Sequence, residues 1–189
     1  MRTVTYGAAC SLDGFIAAAD GGLDWLHFSP DVQEFIRQFW KSIDTILMGR
    51  KTWEVSAAGG NGQGSGSSGI RTYLFSRTLR TSPHPDVRLV SEDAAGFVRC
   101  LKQEQGKGIC VLGGGELAQS LFAGDVIDEV GLNIHPILLG SGIPLFRDAG
   151  HRVALELTEN RTIAGGCVLA TYRVKHAGSG GSTAPRRPV

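Results

Sequence analysis

The chain has 189 residues, of which 42% are hydrophobic and 20% are charged, as in an ordinary globular domain. Nineteen basic and 18 acidic residues give a net charge of +1. This balance argues against nucleic acid or an anionic membrane as the main partner, but not against one small phosphate pocket. No apolar run approaches the roughly 18 residues that a transmembrane helix needs.

Composition along the chain predicts a single domain over residues 1–176 with two flexible parts. Many of the 27 glycines are concentrated in the tract GGNGQGSGSSG at 59–69 and in the tail. Segments rich in glycine and serine behave as flexible chains. We therefore expect a flexible loop at 59–69 and a disordered tail at 177–189.

The strand candidates are short apolar runs, followed by two segments in which apolar and polar residues alternate. In chain order they are 3–9, 44–49, 72–76, 87–90, 108–113, 128–138, 153–162 and 167–175. Continuous apolar runs predict strands buried on both faces, as in parallel sheets. The last two segments have no helix between them, so we expect them to form an antiparallel edge with one covered face.

Helices are predicted between these strands. Ser29 and Pro30 provide an N-cap and a first-turn proline for a helix whose apolar residues recur at helical spacing. Further helices are expected directly after Gly49, over 91–103 with a serine cap, and over 115–122. Strands that alternate with helices predict an α/β sandwich around a mainly parallel sheet.

The cysteines and histidines are scattered and show no metal-ligand spacing. The four cysteines include no CxxC pair, so we expect buried free thiols and a reduced, cytoplasmic protein. The five histidines show no ligand pattern either, and we expect no metal site. These residues are Cys10, Cys100, Cys110, Cys167, His27, His84, His135, His151 and His176.

Three consecutive glycines, Gly113, Gly114 and Gly115, join an apolar strand to a helix. This junction lets a ligand approach backbone N–H groups at a helix N-terminus, where anions bind well. The spacing is not the G-x-G-x-x-G of the usual dinucleotide fold. A tight turn is the alternative, but a turn does not need three glycines. We therefore predict an anion site.

A second helix start follows a glycine in MGRKTWE, residues 48–54. Arg50 and Lys51 fall in the first helical turn, where the helix dipole disfavours cations unless an anion is bound. Two solvated surface cations are the alternative. Ser76 and Arg77, at a third strand end, offer a hydroxyl and a guanidinium suited to a further phosphate. Together these strand ends predict one polyphosphate ligand, such as a dinucleotide.

These residues resemble a known family, the dihydrofolate reductase-like superfamily. The chain is most similar to its riboflavin-biosynthesis branch, the reductase domain of bifunctional deaminase-reductases, and PILLGSGIPLF favours that branch over the folate branch. The resemblance covers about residues 2–175. Five segments occur in the family's order and approximate spacing: SLDGFIA (11–17), MGRKTWE (48–54), YLFSRTL (73–79), VLGGGELAQSLF (111–122) and LNIHPILLGSGIPLF (132–146).

The resemblance implies a three-layer sandwich with a mixed, mostly parallel eight-stranded sheet and an antiparallel C-terminal edge. It also implies NADPH bound at the carboxyl ends of the strands, with Arg50 and Arg77 favouring NADPH over NADH. A cis peptide between Gly113 and Gly114 is implied as well. The residues that resemble cofactor contacts are Gly49, Arg50, Lys51, Thr52, Ser76, Arg77, Gly113, Gly114, Gly115, Glu116 and Leu117.

On the substrate side the resemblance implies fewer residues. Asp31, in the first turn of the first predicted helix, resembles the catalytic carboxylate of folate reductases. A first-turn acid that complements the helix dipole is the alternative. Trp25 resembles the tryptophan beside the substrate, with core packing as the alternative. Asn133 stands where folate reductases have a threonine that supports the carboxylate.

The sequence thus predicts an NADPH-dependent oxidoreductase that transfers a hydride to a small heterocyclic or ribosylaminopyrimidine-type substrate, as in riboflavin biosynthesis. A true dihydrofolate reductase is one alternative, although Ile70 stands where an arginine should grip the folate glutamate tail. An NADP-binding protein without turnover is another. The PILLGSGIPLF segment is apolar, and an exposed apolar edge needs a partner or a cover. Riboflavin-type relatives commonly pair through their sheet edges, so we expect a homodimer.

Overall fold

The computed structural model describes residues 1–58, 69–113, 115–148 and 150–176 of the chain. The predicted tail at 177–189 lies outside the described residues, as does all but the last residue of the predicted loop at 59–69. The described residues form ten strands and four helices. The strands are β1 (Val4–Ser11), β2 (Phe15–Ala17), β3 (Ile43–Gly49), β4 (Arg71–Phe75), β5 (Val87–Val90), β6 (Gly108–Leu112), β7 (Glu129–His135), β8 (Ile143–Pro144), β9 (Ala154–Thr162) and β10 (Val168–Lys175). The helices are α1 (Pro30–Ser42), α2 (Arg50–Ala58), α3 (Ala94–Gln103) and α4 (Gly115–Ala123).

Eight strands form one sheet in the order β5-β4-β3-β6-β1-β7-β10-β9, and β2 pairs with β8 in a separate two-stranded sheet. The first six strands in this order run parallel to one another. β10 is antiparallel to both β7 and β9. This sheet confirms the predicted mixed, mostly parallel arrangement with an antiparallel C-terminal edge. Each of the eight predicted strand segments corresponds to one of its strands.

Helices cover both faces of the central strands, which explains why their sequences are apolar runs. Consecutive residues of a strand point to opposite faces. Leu47 packs on one face in a core cluster with Val98 of α3. Met48 packs on the other face with Trp53 of α2 and Phe39 of α1. The molecule therefore has three layers, with the sheet between the pair α3 and α4 and the pair α1 and α2.

β9 departs from the prediction of one covered face. All nine of its residues are exposed. It is the outermost strand of the sheet and its strand neighbour is β10, while the helices pack over the central strands. The alternating pattern correctly indicated an antiparallel strand, but it did not show that the second layer ends before this edge.

The helix starts are set by capping side chains. Ser29 caps α1 as predicted, since its Oγ accepts the backbone N–H of Val32 at 3.3 Å. α3 begins later than the predicted range 91–103, because Asp93 and not Ser91 is its cap. The Asp93 carboxylate accepts the N–H groups of Ala95 and Gly96, both at 3.1 Å. The predicted serine cap of this helix is therefore wrong.

The six parallel strands place their carboxyl ends at one edge of the sheet, where open α/β sheets bind their ligands. The opposite edge carries paired charges. Arg2 pairs with Asp44, and Nζ of Lys102 lies 2.7 Å from Oδ1 of Asp128. In the part of the chain that the structure describes, no helix has the length and apolar character needed to cross a membrane. The cytoplasmic location stays a prediction.

Candidate functional site

Two groups of residues lie at the carboxyl edge of the sheet. We call the first the glycine edge; it follows β3, β4 and β6. We call the second the β7 cluster. Only β1 separates β6 from β7, so the nearest strand ends of the two groups are two strand spacings apart, about 10 Å. The glycine edge consists of Gly49, Arg50, Lys51, Thr52, Ser76, Arg77, Gly113, Gly115 and Glu116, and the β7 cluster consists of Trp25, Asn133, His135 and Cys167.

Glycines shape the ends of β3 and β6. Gly49 is paired with Phe75 in the sheet, and a β-carbon added to it would meet no atom within 4 Å. Gly113 has a φ of +54°, in the left-handed region that favours glycine. A β-carbon there would lie 2.8 Å from Oγ1 of Thr52. The first glycine therefore leaves open space above its strand end, and the second lets the chain turn closely against α2.

The cations of the glycine edge differ in their pairing. Nη1 of Arg50 lies 2.7 Å from Oε1 of Glu54, one turn along α2. Nζ of Lys51 lies 3.8 Å from Oε1 of Glu116 in α4. The guanidinium of Arg77 is exposed and has no ion pair or hydrogen bond with any other residue that the structure describes. Arg77 therefore keeps its donors available for a ligand phosphate.

Ser76 shapes the turn that carries Arg77. Its side chain is nearly buried, and its Oγ accepts the backbone N–H groups of Thr78 at 3.3 Å and Leu79 at 3.1 Å. These bonds fix the backbone on both sides of Arg77. The predicted contact between the Ser76 hydroxyl and a phosphate stays a prediction.

The N-terminus of α4 is covered by an arginine that the sequence did not single out. A β-carbon on Gly115 would lie 3.0 Å from Cγ of Arg147. The helix dipole disfavours a cation at this end unless an anion lies nearby. Leu117, predicted as a cofactor contact, is buried in the core beneath α4. Gly114 and the implied cis peptide lie outside the described residues.

β7 carries two polar side chains on a buried face. Val130 and Ile134 pack on the α3 side of the sheet. Asn133 is paired with Leu169 of β10, which is buried against α1, so Asn133 and His135 point to the α1 side. Their side chains are 9% and 1% exposed. Polar groups at such positions are expected to find hydrogen-bond partners.

Trp25 covers this polar face from the segment between β2 and α1. Its ring lies 5.5 Å from that of His135, at an angle of 89°. Nε1 of Trp25 and Oδ1 of Asn133 are both buried, and neither has a hydrogen-bond partner among the described residues. A buried polar group without a partner costs about 1–3 kcal/mol. A bound ligand would supply the missing partners.

The contacts of His135 fix its protonation. Its Nδ1 accepts the backbone N–H of His27 at 3.4 Å and lies 3.5 Å from Sγ of Cys167. Burial raises the pKa of the Cys167 thiol, so the sulfur keeps its proton. Burial, together with the neighbouring His27, lowers the pKa of His135. The imidazole is therefore neutral at pH 7, with its proton on Nε2.

Asp31 lies apart from the β7 cluster. Its side chain is exposed, and its Oδ2 accepts the backbone N–H of Ala164, in the turn between β9 and β10, at 3.4 Å. The next residue, Val32, takes the inward position of the first helical turn and packs with Cys167. No hydrogen bond or ion pair joins Asp31 to Trp25 or Asn133. Its predicted catalytic role stays a prediction.

His135 and Cys167 are the members of the β7 cluster that the sequence did not reveal as site residues. Among scattered histidines His135 has no ligand spacing, and no group of three or more His, Cys, Asp or Glu side chains in the described ranges could hold a metal ion. The available signal is the segment EVGLNIH. In a strand whose apolar residues occupy one face, Asn133 and His135 recur together on the other.

The comparisons with known proteins agree with this fold. A model of the RibD C-terminal domain family matches residues 2–169. YwjB of Bacillus subtilis strain 168 is 35% identical over 160 residues, which cover 82% of this chain and 88% of YwjB. YyaP of the same organism is 31% identical over 180 residues, which cover 90% of this chain and 94% of YyaP. Both relatives are described as uncharacterized proteins.

Solved structures include a candidate riboflavin biosynthesis protein of Shewanella sp. PV-4, with a TM-score of 0.80 and 26% identity over 93% of this chain and 100% of that one. The Thermotoga maritima diaminohydroxyphosphoribosylaminopyrimidine deaminase/5-amino-6-(5-phosphoribosylamino)uracil reductase has a TM-score of 0.69 and 16% identity, over 92% of this chain and 57% of that one. Dihydrofolate reductase of Enterococcus faecalis, complexed with NADP(H), has a TM-score of 0.66 and 16% identity, over 92% of this chain and 97% of that one. These likenesses confirm the dihydrofolate reductase-like fold.

Proposed function

Because the chain belongs to the RibD C-terminal domain family, we propose that it is an NADPH-dependent reductase that transfers a hydride to a small heterocyclic or ribosylaminopyrimidine-type substrate. One observation supports this most. The nearest strand ends of the glycine edge and the β7 cluster are two strand spacings apart. Two buried polar atoms of the cluster, Nε1 of Trp25 and Oδ1 of Asn133, have no hydrogen-bond partner among the described residues. A dinucleotide held at the glycine edge would reach a substrate held at the β7 cluster.

The glycine edge fits the phosphates of NADPH. The open space above Gly49 leaves room for a ligand at the end of β3. Backbone N–H groups at the start of α4, together with Arg147, would hold the pyrophosphate. The available guanidinium of Arg77 would bind the 2′-phosphate that distinguishes NADPH from NADH. When bound, the nicotinamide ring supplies the hydride.

The β7 cluster would hold the heterocyclic ring of the substrate, beside the imine or carbonyl carbon that is reduced. Reduction adds a hydride to an imine or carbonyl carbon and a proton to the attached heteroatom. The chain contributes position and shelter, since Trp25 is buried and lies over His135 on the α1 side of β7. Exclusion of water at this point strengthens the hydrogen bonds that orient the ring.

Turnover with two substrates tests the proposal. NADPH oxidation is measured with 5-amino-6-(5-phosphoribosylamino)uracil and, in parallel, with dihydrofolate. We expect faster oxidation with the ribosylaminopyrimidine. Faster oxidation with dihydrofolate would establish a dihydrofolate reductase instead. NADPH binding without oxidation in either reaction would favour an NADP-binding protein without turnover, and the absence of NADPH binding would refute the reductase.

We also propose that the chain forms a homodimer through β9. Every residue of this edge strand is exposed, and Leu155 and Leu157 are 40% and 49% exposed. Phe146, at the end of the PILLGSGIPLF segment, is 46% exposed. An unpaired edge strand with exposed apolar side chains is a surface that proteins pair or cover.

A further inference from the structure

We propose that His27 donates the proton that the reduction requires. The inference rests on the proposed function and deepens it, because it assigns the proton of the reaction to a residue of this chain. It depends on the position of the His27 ring, on the contacts of its nitrogens and on the titratable groups around it.

His27 lies in the segment between β2 and α1, two residues after Trp25, and its side chain is exposed. Its ring is stacked on the ring of His135, with 6.4 Å between the ring centres and an angle of 26°. Its backbone N–H donates to Nδ1 of His135 at 3.4 Å. The His27 ring is therefore held on the solvent side of the β7 cluster. A substrate can contact it there without entering the buried part of the cluster.

Both nitrogens of the His27 ring are available to a substrate. Neither has a hydrogen bond or an ion pair with any residue that the structure describes. Burial, together with His27, lowers the pKa of His135, so a proton that this pair of rings takes up resides on the exposed one. A histidine with an N–H free to point at the substrate is a common proton donor near neutral pH.

The two carboxylates that flank this segment do not suit the role. Asp13, before β2, accepts the hydroxyl of Ser11 at 2.6 Å and the N–H of Gly140 at 2.7 Å, and these bonds lower its pKa. A carboxylate held in its charged form has no proton to give near pH 7. Asp31, in α1, accepts the N–H of Ala164 and has no hydrogen bond or ion pair with the described residues of the cluster.

The remaining titratable groups near the ring are a thiol and two acids. Cys167 contacts His135 from the buried side, and burial raises its pKa, so the thiol keeps its proton. On the segment of His27 itself, Asp20 accepts a backbone N–H of its own turn and Asp24 is exposed. Neither acid has a hydrogen bond or an ion pair with His27. Among the described groups around the cluster, His27 is thus the exposed one whose residue type gives up a proton near neutral pH.

The proposed step balances in atoms and electrons. When bound, NADPH supplies a hydride and leaves as NADP⁺. The imine or carbonyl carbon of the substrate accepts the hydride with its electron pair, and the π electrons of the double bond move to the heteroatom. His27 gives its ring proton to that heteroatom and recovers a proton from water at its exposed face. The step needs the protonated ring, so its rate should fall as the pH rises.

Single-turnover oxidation of NADPH tests this role. The substrate is 5-amino-6-(5-phosphoribosylamino)uracil, or dihydrofolate should the chain reduce that compound instead. His27→Gln keeps the backbone bond to His135 and removes the ring proton. We expect the rate at pH 7 to fall about 10²–10³-fold. The Kd for NADPH and the substrate concentration that gives half the maximal rate should each change less than about threefold.

The pH profile distinguishes a proton donor from a residue that only packs. The rate of the unmodified chain should fall as the pH rises, and this fall should be absent from His27→Gln. His176→Gln is the matched control, because His176 follows β10 at the amino edge of the parallel strands, opposite the site. It should keep both the rate and the pH profile of the unmodified chain.

Added imidazole separates a missing proton from a disturbed structure. Because the side chain of His27 is exposed, His27→Ala leaves a space that solvent reaches. At about pH 6, where imidazole is largely protonated, its rate should rise in proportion to the imidazole concentration. The unmodified chain should not respond.

The imidazole signals in NMR spectra give a readout that needs neither cofactor nor turnover. The full chain is titrated from pH 8 to pH 5, and the signals of His27 and His135 are identified by their loss in His27→Gln and His135→Gln. We expect His27 to take up the first proton of the pair. Uptake by His135 first overturns the assignment.

The kinetic outcomes separate this proposal from the proposed function. Undiminished turnover in His27→Gln, or an unchanged fall with pH, overturns the role of His27 while the reductase proposal stands. Lost turnover in His27→Ala that imidazole does not restore overturns it too. Absence of NADPH oxidation by the unmodified chain with both compounds refutes the reductase itself, and the role of His27 with it.

Discussion

Thr52 lies so close to Gly113 that a β-carbon at position 113 would stand 2.8 Å from Oγ1 of Thr52. This approach joins the first turn of α2 to the turn after β6, and it brings two strand ends of the glycine edge together. Because Gly113 also has a φ of +54°, both its conformation and its surroundings require a residue without a side chain.

Gly113→Ala should therefore lower the free energy of unfolding by about 1–3 kcal/mol, through backbone strain and the contact with Thr52. Gly49→Ala is the matched variant, since its β-carbon meets open space. We expect it to unfold at the same urea concentration as the parent chain but to bind NADPH more weakly, because the space would be filled. Equal stability of the two variants in urea titrations would contradict this account of Gly113.

Arg77→Ala should raise the Kd for NADPH about tenfold, because one charge-assisted hydrogen bond to the 2′-phosphate is lost. The Kd for NADH should change little. Fluorescence titration with both cofactors measures the difference, and Arg88→Ala, which removes an exposed arginine from β5, controls for the change in net charge. Equal weakening for both cofactors would show that Arg77 does not contact the 2′-phosphate.

Asp31→Asn separates the two roles considered for this acid. Since Asp31 is exposed and its Oδ2 contacts the N–H of Ala164, we expect turnover close to that of the parent chain. Stability should fall by less than about 1 kcal/mol, because the lost charge complements the helix dipole. A catalytic proton donor would instead give about a 10²–10⁴-fold drop in kcat with NADPH still bound. Steady-state kinetics with an accepted substrate distinguish the two results.

His135 should make stability depend on pH. Its pKa is lowered in the folded chain by burial and by His27. Below about pH 6.5, the usual pKa of histidine, the unfolded chain takes up a proton that the folded chain does not. The free energy of unfolding should therefore fall as the pH drops through this range and level off once the folded chain is protonated too.

Urea titrations between pH 8 and pH 5 measure this dependence, with His135→Gln as the comparison. The variant is expected to be less stable at pH 8, because the acceptor for the N–H of His27 is changed. It should also lose less stability on acidification than the parent chain does. Parallel pH profiles for the two proteins would mean that His135 does not carry the effect.

Leu157→Lys should convert the proposed homodimer into a monomer, because it places a charge on the exposed β9 edge. Light scattering at micromolar concentration measures the mass. Glu159→Lys, which is on the same strand opposite Thr171, adds a lysine on the other face and should leave the dimer intact. A monomer mass for the unmodified chain would exclude the dimer at that concentration.

The pattern of apolar residues predicts most of the fold, because each strand of the large sheet is long enough to show an apolar run or an alternation of apolar and polar residues. The sequence does not predict the pair of β2 and β8, because these strands are too short. Its strands have three and two residues, and Phe15 pairs with Pro144 across most of the chain. Segments this short have no period to detect. The start of α3 was misplaced because Ser91 and Asp93 are both good caps, and only the backbone shows which one the helix uses.

The residues of the candidate site likewise fall into those that the sequence predicts and those that it does not. Glycine runs beside strand ends pointed to the glycine edge, since the residue type itself reports the backbone geometry. The β7 cluster was found in part, through Trp25 and Asn133. To recognise His135 as a site residue, one must know that it shares a face of β7 with Asn133. To recognise Arg147, one must know that the chain after β8 returns to the start of α4.

The position of β1 at the centre of the sheet has a consequence for how the chain folds during synthesis. β1 leaves the ribosome before the other strands of the sheet, and the residues of β6 and β7 that pair with it lie more than a hundred residues later. Its buried residues Val4 and Tyr6 stay uncovered until those strands emerge. Pairing over such separations slows folding, and exposed apolar strands of incomplete chains are prone to aggregate. Chaperones that hold nascent chains should therefore find their longest-lived target in β1.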